Sequence, residues 1–119
     1  MHTAAFEFVK QYADRSPKSA IEIGAIIING TVRTLFPETK WIGLDLHPGP
    51  GVDVVCDAAL YAPAEQVDLV VCCEVLEHAR NWRELLKAAH RFLKPNGLLI
   101  VTCAGPGREP HSAIDGGPV

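Results

Sequence analysis

Three carboxylates and a glycine close successive apolar runs of this chain. Gly24 ends "SAIEIG", Asp45 lies in "KWIGLDL", Asp57 follows "VDVVC" and Glu74 follows "VDLVVCC". Asp45 comes 21 positions after Gly24, near the roughly 20-residue separation at which an acid meets ribose hydroxyls in nucleotide-binding folds. A carboxylate suits that chemistry because it only accepts hydrogen bonds, and a vicinal diol has two to donate. Ligands of open parallel sheets bind beyond the carboxyl ends of the strands, where the strand order reverses. Acids at three successive strand ends therefore predict one polar rim.

The elements that must carry this rim are legible from apolar periodicity. Thr3 to Arg15 has the spacing of an amphipathic helix, closed by Ser16-Pro17. Ser19 to Ile23, Lys40 to Leu46, Val52 to Cys56, Val67 to Cys73 and Leu98 to Cys103 read as five strands, with a short helix over Gly30 to Leu35. Asn81 to Leu93 is the clearest helix. Asn81 and Glu84 form a capping pair, Trp82, Leu85, Leu86, Ala89 and Leu93 an apolar stripe, and Pro95-Asn96-Gly97 a stop. The strands are continuously apolar and separated by helical stretches, the pattern of a parallel sheet covered on both faces. The expected fold is α/β, a Rossmann-like doubly wound sheet of about five strands. Residues 1–104 form the domain, and 105–119, rich in glycine and proline, a loop or tail.

Bulk properties narrow the function. A chain of 119 residues with 48% hydrophobic and 21% charged residues is a single globular domain. A formal net charge of −3 supplies no attraction for nucleic acid. No apolar run reaches the roughly 20 residues of a membrane span, and the start lacks the features of a secretory signal, so a cytoplasmic protein is expected. Cys56, Cys72, Cys73 and Cys103 form no C-x-x-C pair and read as small buried hydrophobes of a reducing compartment. Cys72 and Cys73 must face opposite sides of their strand. Arg83, Lys87, Arg91 and Lys94 read as a solvated helix face, and Trp41 and Trp82 as core.

Taken in order, "AIEIGA", "WIGLDL", "VDVVCDA", "VDLVVCCEVLEH" and "FLKPNGLLIVT" resemble the class I S-adenosylmethionine-dependent methyltransferases, over about Ser19 to Thr102. "EVLEH", a helix and "LKPNGLLIV" are the most specific portion. The resemblance implies S-adenosylmethionine as cofactor. It implies that Glu22 and Gly24 border its methionine part, Asp45 the ribose, Leu46 the adenine face and Asp57-Ala58 the adenine edge, with Glu74 near the methyl group and Ala25, Asn29 and Gly30 among the other cofactor-binding residues. Glu74, His78 and His111 are then the candidates for removing a proton from an acceptor that must lose one.

Two departures stand out. Where the family shows E-x-G-x-G-x-G, this chain places Ile26 and Ile28 at the second and third glycines. Gly30 can serve as the turn glycine with Asn29 beside it. The isoleucines line a longer, partly apolar cofactor loop or form core beneath it; both arrangements allow binding. The family's last two strands also have no counterpart, which leaves strand five at the sheet edge. That predicts a homodimer through this edge, a C-terminally truncated fragment, or a tail that covers it. The leading function is methyl transfer to an unidentified acceptor, with no membrane or nucleic-acid partner. The alternative is a non-catalytic or truncated S-adenosylmethionine-binding domain, and an NAD enzyme is disfavoured by the loop's poor match to G-x-G-x-x-G.

Overall fold

The computed structural model describes residues 3–27, 30–73 and 75–102. Five strands, β1 (Ser19–Ile23), β2 (Lys40–Asp45), β3 (Val54–Val55), β4 (Val67–Cys73) and β5 (Leu93–Thr102), form one sheet in the order β3-β2-β1-β4-β5. Every pairing is parallel. The chain runs outward from β1 to β2 and β3, then returns to place β4 on the other side of β1. The strand order therefore reverses between β1 and β4, the position where an open sheet leaves a crevice.

Alternation along the strands sends side chains to two faces. On one face Ile21, Ile23, Leu44, Val70 and Cys72 pack beneath helix α2 (Trp82–Phe92), which inserts Leu85, Ala88, Ala89 and Phe92. On the other, Ala20, Leu69, Val71 and Ile100 meet Val9 of helix α1 (Thr3–Lys10) and Val32 of a 3-10 turn (Val32–Leu35). Phe92 and Leu44 are fully buried, and each such side chain contributes roughly 1.5–3 kcal/mol of transfer free energy. Cys72 and Cys73 do fall on opposite faces. No disulfide joins the described cysteines, and no helix among the described residues is long and apolar enough to cross a membrane.

The elements depart from expectation at their ends. The first helix stops at Lys10, where tight bonds from Gln11 and Tyr12 back to Phe8 and Val9 begin a turn; Ala13–Arg15 is a separate 3-10 segment. Helix α2 ends at Phe92, and the chain enters β5 directly, so Pro95-Asn96-Gly97 lies inside a strand. Val67 pairs with Leu93 and Leu69 with Leu98, and the extra residues between them form an irregular bulge. Gln66 stabilises the junction by donating from Nε2 to the Leu93 carbonyl at 2.9 Å. Trp82 is exposed, stacked beneath the Arg83 guanidinium at 4.9 Å, and does not belong to the core stripe. The expected basic face divides too: Arg91 donates to the carbonyls of Tyr61 and Ala59, and Lys94 sits in β5 paired with Asp68. Among the described residues β5 has β4 as its single neighbour.

Candidate functional site

Register decides which residues meet. Ile23 lies opposite Leu44 on one side and Cys72 on the other, and Asp45 lies opposite Val55. Gly24, Asp45 and Asp57 therefore stand just beyond or at the carboxyl ends of β1, β2 and β3, on a shared rim.

Gly24 turns the chain off β1 with φ 76°, a left-handed backbone that glycine adopts without the penalty of a side chain. A Cβ at this position would strike Val75, so the loops after β1 and β4 nearly touch. The turn directs the chain toward β2, where the Leu44 carbonyl accepts from both the Gly24 and Ala25 N–H groups at 2.9 and 3.1 Å. Ala25 is buried. Ile26 N–H donates to Asp45 Oδ2 at 3.2 Å, and Ile27 N–H to the Pro50 carbonyl at 2.8 Å. Ile26 and Ile27 lie over Gly49 and Gly51. The apolar stretch thus forms a strap laid across the end of β2, and both isoleucines are half-buried. Gly30, exposed with φ 102°, turns the chain toward the 3-10 segment. Thr31 caps that segment through its hydroxyl, which accepts from Arg33 N–H at 3.2 Å.

Asp45 is gripped from two sides. Oδ2 accepts from Ile26 and Oδ1 from His47 N–H at 3.1 Å. A carboxylate offers about four lone-pair sites, so two bonds leave acceptor capacity facing the rim. Leu46, the next residue, is 66% exposed, a large apolar side chain mostly open to solvent. Asp57 caps the turn Ala58–Leu60 by accepting from Ala59 N–H at 3.0 Å. It also accepts from Asn81 Nδ2 at 3.4 Å. This corrects the capping expectation, because the Asn81 side chain is drawn to a tertiary partner and makes no cap bond to α2. Ala58 is buried beneath this link.

Among the described residues Glu22 is the buried polar residue of the core, 5% exposed. Its carboxylate faces the side of the sheet that carries the Val32–Leu35 turn and accepts from Arg33 Nε at 2.8 Å. Burial pushes its pKa up, and the charge of Asp45 adds to that; the Arg33 hydrogen bond and charge oppose the rise. Arg33 also donates from Nη2 to the Gly51 carbonyl at 2.6 Å, and its guanidinium lies 5.5 Å from the Trp41 ring centre. Gly43 makes room for it. A side chain there would collide with Arg33, the Gly51 carbonyl and Ala25. Gly43 and Asp53 bind reciprocally, Gly43 N–H to Asp53 Oδ2 at 2.7 Å and Asp53 N–H to the Gly43 carbonyl at 2.8 Å.

His78 ends the turn Leu76–His78 after β4 and is half-buried. Glu74, Asn29 and His111 lie outside the described residues. The structure thus brings Gly24, Ala25, Asp45, Leu46, Asp57 and Ala58 to one rim and sets Glu22 beneath it. Arg33, Asp53 and the true role of Asn81 escape the sequence reading. The clue to Arg33 was Glu22 itself, since a carboxylate inside an apolar strand demands a buried partner.

Residues 30–101, more than half of the chain, match the family model described as a methyltransferase domain. The match begins after the isoleucine strap. No curated protein matches the sequence. Among solved structures, the N-methyltransferase NodS from Bradyrhizobium japonicum, in complex with S-adenosylhomocysteine, aligns with a TM-score of 0.66 at 19% identity, over 82% of this chain and 59% of that one. The 1,6-didemethyltoxoflavin-N1-methyltransferase of Burkholderia thailandensis, with 1,6-didemethyltoxoflavin and S-adenosylhomocysteine bound, aligns with a TM-score of 0.67 at 18% identity, over 89% and 54%. The chain thus spans little more than half the length of these two proteins. The match over residues 30–101 decides the family: the chain belongs to the methyltransferase-domain family.

Proposed function

We propose that the carboxyl rim binds S-adenosylmethionine and that the chain transfers its methyl group to an acceptor. Asp45 carries this reading: it ends β2, next to the reversal point, with acceptor capacity left after two backbone bonds. Family membership and the S-adenosylhomocysteine bound in the two structural neighbours support it.

The described residues fit such a ligand. Gly24 turns the chain at the end of β1 with a left-handed backbone and lets Val75 of the loop after β4 pack against it, so the two loops close one side of the rim. Asp45 accepts from the ribose diol, exposed Leu46 covers the adenine face, and Asp57, fixed by Ala59 and Asn81, borders the adenine edge. When bound, the sulfonium supplies an already activated methyl group. The protein's task is then to hold donor and acceptor in line and exclude water. His78, after β4, is the described candidate for taking a proton from the acceptor; a His78→Ala chain with full turnover would end that assignment.

Titration calorimetry with S-adenosylmethionine and S-adenosylhomocysteine tests the binding. Asp45→Ala is expected to weaken it by about 1–3 kcal/mol, the scale of lost hydrogen bonds to a polar partner. Equal affinity in a folded variant would remove the ribose assignment. A second reading, a non-catalytic or truncated S-adenosylmethionine-binding domain, is favoured by Ile26, which lies across the end of β2 at a position where the family carries a glycine; Ile28, at the other such position, lies outside the described residues. Binding without turnover on a broad acceptor panel would select it.

A further inference from the structure

Arg33 reaches two separate walls of the rim with one planar group. Nε meets Glu22 Oε1 at 2.8 Å in β1, two residues before the Gly24 turn. Nη2 meets the Gly51 carbonyl at 2.6 Å in the loop after β2. Gly51 in turn underlies Ile27, and a Cβ there would come within 2.6 Å of the Ala25 carbonyl. Arg33 therefore ties β1 to the loop after β2, and that loop in turn meets the Ala25–Ile27 segment, where Ile27 N–H donates to the Pro50 carbonyl at 2.8 Å. The residue is held in place from below by Trp41, over which it lies, and from its own segment by the Thr31 cap. Glu22 is buried and near Asp45, and Arg33 is the cation bonded to it.

A guanidinium donates in a fixed fork, so two acceptors bonded to it are held at a set separation. We propose that Arg33 is the positioning residue of the cofactor cleft: its fork between the Glu22 carboxylate of β1 and the Gly51 carbonyl sets how far the loop after β2 stands from β1, and through the Ile27–Pro50 bond that loop sets the Ala25–Ile27 segment and the presentation of Asp45. This rests on the binding function proposed above. Arg33 itself touches no ligand in this scheme.

Arg33→Lys is the informative variant. Lysine keeps a positive charge beside Glu22, but a single nitrogen on a flexible stem cannot reproduce the two-armed geometry. At a temperature well below unfolding, calorimetry with S-adenosylhomocysteine is expected to show a roughly tenfold loss of affinity, the scale of one hydrogen bond to a charged group. The melting temperature should stay close to that of the unmodified chain. Hydrogen exchange should rise in segments spanning residues 24–27 and 47–52 while β4 is unchanged. Wild-type affinity in Arg33→Lys would overturn the proposal, as would faster exchange spread evenly over β4 and the two loops, which marks a general structural prop. Should the unmodified chain bind neither sulfur compound, the binding function fails, and the exchange comparison still reports whether Arg33 braces the two loops.

Discussion

Two carboxylates at opposite ends of the sheet meet cations and behave in opposite ways. Glu22, near the carboxyl rim, is 7% exposed at its side chain and pairs with Arg33, itself 19% exposed. Asp68, at the amino end of β4, is 30% exposed and pairs with Lys94 at 3.1 Å, which is 50% exposed. Burial holds the Glu22 carboxyl above its usual range in spite of its partner. Asp68 is held below its usual range, chiefly by the Lys18 N–H at 2.9 Å and then by Lys94. An ion pair is therefore no fixed quantity. At the wet end of the sheet it is a minor aid beside a backbone hydrogen bond, whereas at the dry end it offsets a desolvation penalty that would otherwise be open.

The sharpest way to break this contrast is to remove the buried cation. Arg33→Met leaves Glu22 buried without its partner and is expected to destabilise the chain by about 3 kcal/mol in urea unfolding; a change below about 1 kcal/mol would show that Glu22 had already taken up a proton or found water. The pH dependence comes next in size. A carboxyl whose folded pKa is raised gives stability that is fully present below its unfolded value and is lost as pH rises through the folded one. Stability measured against Glu22→Gln should thus shift in favour of the wild type as pH falls from neutrality to about 4. Asp68 has the reverse sign: its contribution holds above the unfolded value and fades as pH falls through the lowered folded one, so Asp68→Asn should lose its disadvantage in acid. Parallel curves for the two variants would dissolve the distinction. Lys94→Ala should have the smallest effect, at most about 0.5 kcal/mol, and added salt should erase it.

Sequence reading succeeded where burial alone dictates structure. β1 and β4, the central strands, are read to the residue as Ser19–Ile23 and Val67–Cys73, because a strand covered on both faces tolerates little but apolar side chains. Glu22 is the charged exception in β1, and its place inside an apolar strand called for a distant partner. Away from the centre, side chains competed with local rules. Asp53 pairs with Gly43 before β3 begins, which shortens that strand to Val54–Val55. Asn81 has the residue type of a helix cap but is attracted to Asp57, 24 positions away. Pro95-Asn96-Gly97 reads as a break, yet the bulge lets β5 absorb it. The rim positions of Gly24, Asp45 and Asp57 were legible because strand ends follow from apolar runs. Arg33 was not, because its two acceptors lie 11 and 18 positions away and only the folded chain unites them.

Gly43 carries a consequence for how this chain can change over generations. It sits inside β2 with its missing side chain occupied by the Arg33 head group and the Gly51 carbonyl. Any larger residue at 43 would evict the arginine, strand the acid at 22 and spread the loop at 51 in a single step. Positions 22, 33, 43 and 51 should therefore drift as one inherited unit among close descendants, with alanine at 43 appearing only where the backbone at 51 has already moved away.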